Sequence, residues 1–398
     1  MVITVVCDVL GKANNGTSLA AYNLINALKE RGHTVRVVCS DKDKEGLEGY
    51  YILPVKHYGK LIDAIIAKNN VSLCKGDMRI IDKACHDVDA VHCMLGFNAG
   101  KAAAKYCYNH NIPVTAGFHC QSQNFAAHLG GIYNPLVNYL VYKSLNNKFY
   151  RYVDGTHFPT KFIKDEADRY NIETGTPYVI FSGVKTKVFY PHKVNRPEEW
   201  KDKYIITMVG RYSAEKHQQT LFKAMKYSKY ADKIQLVLAG EGPLLGRYKI
   251  LTRKFKNPVH FESYDHPHLS DLLCMTDLYV HTSYAEIEAI SCLEAIACGC
   301  VPVISDSKES ATSKFALSEK NQYHYPSAKE LAKKIDYWIE HPEEKAQCSK
   351  QYQEFVKQFD YDVCMDQMEK MIVGNAMAKR RAALESIVED AQAKERRA

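Results

Sequence analysis

Nine short β-branched runs, each followed by a stretch of helical periodicity, constrain this chain more than any other feature. In the first half they are VITVV (2–6), TVRVV (34–38), DAVHCM (89–94), PVTAGF (113–118) and GTHFP (155–159). Between the first two, Ala21, Leu24, Ile25 and Leu28 repeat at i, i+3, i+4 and i+7, and RGH closes that helix. Near-continuous apolar strands separated by helices mean parallel sheet covered on both faces. The pattern breaks at YPHKVNRPEEWKDK (190–203), then resumes with YIITMVG (204–210), IQLVLAG (234–240), DLYVH (277–281) and CVPVIS (300–305). The economical reading is α/β, with two Rossmann-like doubly wound domains, residues 1–190 and 191–372. Ligands in such folds bind beyond the carboxyl ends of the strands, which puts the expected site in a cleft between the domains. A charged amphipathic helix, 373–398, with a Leu384, Ile387, Val388, Ala391 stripe, reads as a third, separate feature suited to the protein body, another chain or a membrane surface.

The 398 residues are too many for one ordinary core. No apolar run approaches the roughly 20 residues of a membrane span. MVITVVCDVLG reads as a first buried strand rather than a signal peptide. Thirteen cysteines form no C-x-x-C pair. Cys7, Cys39, Cys274 and Cys292 lie in apolar segments and read as small buried thiols, which implies a reducing cytoplasm and no structural zinc.

Charge is unevenly placed. Residues 1–195 carry 23 Lys and Arg against 16 Asp and Glu, the whole net +7 of the chain. No acid falls between Asp89 and Asp154, whereas Lys101, Lys105, Lys143, Lys148 and Arg151 do. One face of the first half is therefore expected to carry a positive potential that can meet an anionic surface. The excess is modest and no recognised nucleic-acid module is present, so nucleic acid is not an expected partner.

Four stretches carry candidate chemistry. In LGKANNGTSLAAYNL (10–24), Gly16 opens a helix whose N-terminus can face an anion, although an ordinary strand-to-helix turn explains it as well. In VGRYSAEK (209–216), Arg211 and Lys216 follow a strand ending in Gly210, and can converge on a diphosphate as a fork and a point charge. GEGPLLG (240–246) lacks Rossmann fingerprint spacing and reads as a turn lining a cleft. EIEAISCLE (286–294) sets three acids among apolar residues. On one helix Glu286 and Glu294 would stand about 12 Å apart along the axis, beyond the roughly 5–9.5 Å of a glycosidase pair. A loop presenting Glu286, followed by a helix starting near Glu288 and carrying Glu294, fits better. The N–H groups of Glu288, Ala289 and Ile290 can then receive an anion while the carboxylates grip hydroxyls, as a nucleotide sugar would require.

With these residues in place, the chain resembles the family-4 retaining glycosyltransferases of the GT-B fold. The resemblance runs to about residue 372, through RGHTVRVV, PTKFIKDEADRYNI, FSGVKTKVFYP, VGRYSAEK, GEGP and the E-x7-E stretch. It implies that Glu286 holds donor sugar hydroxyls, Glu294 the ribose, Arg211 and Lys216 the diphosphate, and that the Gly16 loop approaches that diphosphate. It also implies that His119, ending PVTAGFH, sits beside the transferred sugar. Reaction by front-face attack, with no enzyme nucleophile, no cofactor and no metal, is implied as well. Two departures stand out: Ile287, Glu288, Ala289 replace a Gly-Phe-Gly, and CQSQN replaces a C-Q-P-E-N pattern.

The acceptor is sought in NPLVNYLVYKSLNNKFYRYVDG (134–155). Val137, Leu140, Val141, Leu145 and Phe149 form an expected apolar face, flanked by Lys143, Lys148 and Arg151. That helix can pack inside the domain or lie on a membrane. Its resemblance to bacterial diacylglycerol glucosyltransferases favours a lipid acceptor, UDP-glucose as donor, and a cytoplasmic enzyme peripheral on the inner face of the cell membrane. The alternatives are a soluble or polyprenyl-linked saccharide acceptor, a nucleotide-sugar epimerase, and a non-catalytic donor-binding protein.

Overall fold

The computed structural model describes residues 1–8, 10–11, 16–57, 59, 74–119 and 135–395. They form two compact units: one reaching Ile180 and resuming at Met365, the other Phe181–Cys364.

The first unit holds strands β1 (Val2–Val6), β2 (Thr34–Cys39), β3 (Tyr50–Ile52), β4 (Ala90–Cys93), β5 (Val114–Gly117), β6 (Gly155–Phe158) and β7 (Thr176–Val179). They make one parallel sheet in the order β3-β2-β1-β4-β5-β6-β7. Every residue of β4, β5 and β6 is buried, as expected where helices cover both faces of a sheet.

The second unit repeats the plan with β8 (Tyr204–Val209), β9 (Ile234–Ala239), β10 (His260–Glu262), β11 (Leu278–His281), β12 (Ala285–Glu286), β13 (Pro302–Ser305), β14 (Glu309–Ser310) and β15 (Gln322–Tyr323). The main sheet runs β10-β9-β8-β11-β13-β15 and is parallel, while β12 and β14 form a separate two-residue ladder. Counted from β8, this is the 3-2-1-4-5-6 order of a doubly wound fold, and its switch point falls between β8 and β11.

Two expected boundaries move. Residues 181–190 pack with the second unit rather than the first. Phe181 stacks edge-on against Phe359 at 4.4 Å, and the Val184 backbone bonds to Phe359 and Tyr361 at 2.7 and 2.8 Å. The C-terminal helix is not a separate element from 373. It begins at Tyr361 and runs to Glu395, and from Met365 it belongs to the first unit. Met368, Met371, Ile372 and Ala376 are buried there, Lys379 Nζ lies 3.0 Å from both Asp154 carboxylate oxygens, and Arg380 pairs with Asp89. Gly155 makes the fit possible, since a Cβ there would stand 2.8 Å from the Asn375 side chain. Further along, Leu384, Ile387 and Val388 are exposed, and the Ala391 side chain lies outside the described residues. No helix among the described residues is long and apolar enough to cross a membrane.

Candidate active site

Both loops that leave the switch point of the second unit carry polar side chains. After β8 the backbone turns through Gly210 (φ +150°), beside the turn that follows β9. A Cβ on Gly240 would lie 2.3 Å from the Gly210 carbonyl, and one on Gly242 2.5 Å from that of Tyr212. The GEGP stretch is therefore a backbone-to-backbone contact that only glycine permits. It lets Tyr212 N–H donate to Glu241 at 2.8 Å and fixes the segment presenting Arg211 and Lys216. The Arg211 guanidinium is exposed and makes no hydrogen bond or ion pair among the described residues.

Lys216 points at the other loop, where its ammonium pairs with Glu286. Thr282 Oγ1 donates to the Lys216 carbonyl at 2.9 Å and Tyr284 N–H to that of Glu215 at 2.7 Å. On the far side, Ser305 and Ser307 hydroxyls donate to the carbonyls of Ser283 and Tyr284 at 2.7 and 2.6 Å. Residues 282–286 are thus pinned from both flanks. His281, the last residue of β11, places Nε2 3.3 Å from the same Glu286 oxygen, without hydrogen-bond geometry. Burial pushes the Glu286 pKa up, but Lys216 and then His281 outweigh it and hold the carboxylate at about 2. Burial lowers His281, against the pull of Glu286. At neutral pH this cluster holds an ionised carboxylate against an ammonium, with 15% and 16% of their side-chain surfaces exposed.

The helix expected near Glu288 starts two residues later, at Ile290, and ends at Ala297. Ala289 occupies the left-handed region at φ +53°. The first helical carbonyl is that of Ala289, which accepts from Cys292 at 2.9 Å, so the N–H groups of Ile290 and Ser291 have no acceptor within the helix. Glu294 is buried, and its carboxylate forms no hydrogen bond or ion pair among the described residues. Burial raises it to about 7. Glu288 does not join Glu286 and Glu294. Its carboxylate is turned to Ser182, which donates through both its N–H and, at 2.7 Å, its hydroxyl. Burial, only partly opposed by those bonds, raises Glu288 to about 7.

The strain at Ala289 is directly testable. A non-glycine residue in the left-handed region costs about 1 kcal/mol, and the methyl group is almost wholly buried. Ala289→Gly relieves that strain but gives up about 0.8 kcal/mol of methyl burial and frees the unfolded chain, so unfolding free energy from denaturant melts is expected to change by less than about 1 kcal/mol, where an ordinary buried Ala→Gly would lose more.

In the first unit, His119 follows β5, its ring 5.1 Å from that of His157. Its Nε2 is buried without a partner among the described residues. Burial, then His157 and His92, drive its pKa well down, so the ring is neutral at pH 7. A Cβ on Gly117 would lie 2.5 Å from the imidazole. Gly16 is the first residue of the helix Gly16–Glu30; most of the loop before it, and the CQSQN segment from Cys120, lie outside the described residues. Asp8, which the sequence did not single out, is buried at the carboxyl end of β1. Its Oδ1 accepts from Ala99 N–H at 3.1 Å and its Oδ2 has no partner among the described residues.

The helix Pro135–Lys148 corrects the expected apolar face. Leu145 and Phe149 are buried, and Phe149 packs so closely on Gly96 that a Cβ there would stand 2.5 Å away. A core side chain cannot meet a membrane, so Phe149 is removed from that face. Leu140 is exposed instead, with Leu136 and Tyr139, and Lys143 lies 5.6 Å over the Tyr139 ring. Lys148 and Arg151 are exposed, and the Val137 side chain lies outside the described residues. Among the described residues, no group of three His, Cys, Asp or Glu is arranged to hold a metal ion.

Known proteins match this chain in sequence and fold. The family model for glycosyl transferases group 1 covers residues 192–355, and that for glycosyltransferase family 4 covers 14–188. An alpha-monoglucosyldiacylglycerol synthase of Streptococcus pneumoniae is 24% identical over 309 residues, 73% of this chain and 68% of that protein. The catalytic domain of a Helicobacter pylori cholesterol-alpha-glucosyltransferase is 41% identical, over 39% of this chain and 98% of that one, with a TM-score of 0.38. The Anabaena protein HepE, solved with UDP-glucose, is 16% identical over 94% of this chain and 100% of its own, with a TM-score of 0.70. The two matched segments follow one another along the chain and between them reach both units, each a doubly wound parallel sheet. The chain belongs to the family-4 glycosyltransferases of the GT-B fold, and is an enzyme of glycosyl transfer.

Proposed function

We propose that the enzyme transfers glucose, with retention, from UDP-glucose to a membrane lipid such as diacylglycerol or glucosyl-diacylglycerol. The observation that carries the donor half is the switch-point cluster, with Lys216 against an ionised Glu286 and, five residues before Lys216, Arg211, which has no ion pair among the described residues. When the sugar–phosphate bond breaks, negative charge grows on the departing diphosphate. Arg211, Lys216 and the open N–H groups of Ile290 and Ser291 are suited to stabilise it. Glu286 can accept hydrogen bonds from sugar hydroxyls and Glu294 from a ribose. The neutral His119 is assigned to a hydroxyl of the transferred sugar. Gly16 supplies a helix N-terminus to an anionic group. No side chain here is assigned as a nucleophile, and no metal or other cofactor is invoked.

The lipid half rests on the name of the Streptococcus pneumoniae relative, and on the exposed Leu136, Tyr139, Leu140 and Lys143. These recur at i, i+3, i+4 and i+7, in a segment with basic neighbours and no acid, as an interfacial helix face does. A peripheral location on the inner membrane face would follow.

The test incubates the full chain with UDP-glucose, UDP-galactose and GDP-mannose, each with anionic vesicles containing diacylglycerol, glucosyl-diacylglycerol or cholesterol, and with soluble saccharides. Products are read by mass spectrometry and their anomeric configuration by NMR. A glycolipid formed from UDP-glucose with the α configuration is expected. Product on soluble saccharides alone, or an epimerised donor without acceptor, would overturn the reading.

A further inference from the structure

Outside the donor site, the second unit contains a cysteine–histidine–aspartate arrangement that glycosyl transfer does not use. Cys274 lies near the end of the helix His266–Met275. The sequence reads it as an inert buried thiol, but it is only partly buried, whereas the other described cysteines are buried. Its Sγ lies 3.3 Å from His192 Nδ1 and 3.3 Å from the Tyr190 carbonyl. The same Nδ1 lies 2.9 Å from that carbonyl, and Nε2 lies 2.8 Å from Asp271, one turn before Cys274 on its helix. An imidazole with an acceptor at each nitrogen is built to hold two protons. The Asp271 bond, then the Tyr190 carbonyl, raise the His192 pKa accordingly.

A second sulfur completes the arrangement. Cys298 caps the carboxyl end of the helix Ile290–Ala297 and meets the helix that carries Cys274 at Ser270, one turn before Cys274. Its sulfur lies 3.6 Å from the Ser270 hydroxyl, itself fixed by a 2.8 Å bond to the Val188 carbonyl. The neighbouring Cys298, then His192, lowers the Cys274 pKa, and Cys274 in turn raises that of Cys298, so the proton of the pair rests on Cys298; burial raises Cys39, Cys74 and Cys300.

The geometry points to Cys274 and Cys298 as a peroxide-reactive thiol pair, with Cys274 the attacking sulfur and Cys298 the resolving one. The Cys274 thiolate attacks one oxygen of a hydroperoxide. The O–O bond breaks, and the departing hydroxide or alkoxide takes a proton from the His192 imidazolium. Cys274 is left as a sulfenic acid. The Cys298 sulfur then displaces its hydroxyl, the S–S bond forms and water leaves, so one peroxide is reduced and two thiols are oxidised. A dithiol reductant reverses the change. The linked residues would join the end of the helix His266–Met275 to the carboxyl end of the helix that carries Glu294.

Three measurements on the reduced full chain test this. In wild type at about pH 6.5, iodoacetamide should modify Cys274 at least about tenfold faster than any other cysteine, and His192→Gln should remove most of that advantage. Hydrogen peroxide should yield a peptide pair cross-linked through Cys274 and Cys298, reverted by dithiothreitol. In Cys298→Ser the reaction should stop at a sulfenic acid on Cys274, trapped by dimedone. Equal alkylation of Cys274 and the buried thiols, or a first oxidation elsewhere, would overturn the proposal without touching the assignment of the donor site. So would a Cys274 sulfenic acid that persists in wild type.

Discussion

Lys216→Ala is expected to lower glycosyl transfer by about 10²–10³-fold, the scale of removing one preorganised group that meets developing charge. It is also expected to destabilise the fold, because Glu286 then keeps its burial and loses its cation. Removing one member of a buried ion pair costs about 3–5 kcal/mol, and the partial exposure here places the expectation at or below the lower end. The two effects separate in a double-mutant cycle. Glu286→Gln removes the carboxylate charge that Lys216 neutralises, so Lys216→Ala combined with Glu286→Gln should recover most of the stability and none of the transfer. The pH dependence carries the same signature. The Glu286 pKa is depressed to about 2 in the folded chain, so its contribution is present above the ordinary carboxylate range and is lost as pH falls from about 4.5 toward 2. In Lys216→Ala that acid limb should weaken, since burial alone would raise the carboxyl. Wild-type transfer in Lys216→Ala would remove Lys216 from the machinery.

The sheet cores were legible because buried parallel strands must be apolar along their whole length. VITVV is β1 residue for residue, and the other eight runs agree with β2, β4, β5, β6, β8, β9, β11 and β13 to within two residues at either end. The edge strands were not. β3, β7 and β10 are short and only partly buried, so nothing compels an apolar run there. β12 and β14 are two residues each and exist because the loop beyond β11 is pinned to the one beyond β13. The domain boundary slipped for a related reason. Polar, Pro-containing composition marks where a chain is exposed, whereas the unit changes where Phe181 finds Phe359, far away in sequence.

The site divides along the same line. Spacing placed Arg211 and Lys216 after a strand and Glu294 inside a helix, since those are local facts. It could not show that Lys216 reaches Glu286, 70 residues on, or that His281 closes the cluster. Cys274 is a sharper case. An apolar run implied a buried, inert thiol, whereas Cys274 is only partly buried, and the His192 and Asp271 that change its chemistry lie on a different segment and one helical turn back.

Glu288→Gln is expected to make the protein more stable by about 3–4 kcal/mol at pH 8 and by only about 1 kcal/mol at pH 5. Burial raises the Glu288 pKa to about 7. An ordinary glutamate in the unfolded chain ionises near 4.3. Between those values the native state holds a proton that the unfolded state has released, so stability falls as pH climbs from about 4.5 to 7 and then levels off. The loss amounts to about 4 kcal/mol in all, of which about 1 kcal/mol has occurred by pH 5. Glutamine copies the protonated acid: its carbonyl accepts from the Ser182 N–H, and its amide can donate to the Ser182 hydroxyl in place of the carboxyl proton. The clasp therefore survives while the titration disappears. Glu288→Ala also abolishes the titration but leaves a buried Ser182 N–H unpaired, so relative to Glu288→Gln it should cost about 1–3 kcal/mol at both pH values. Denaturant midpoints at pH 5 and 8 for the three proteins decide the matter. Equal stability differences at the two pH values would show that Glu288 is not a buried, nearly neutral acid. A Glu288→Gln protein less stable at pH 8 would show that the carboxylate charge holds Ser182 more tightly than burial opposes it.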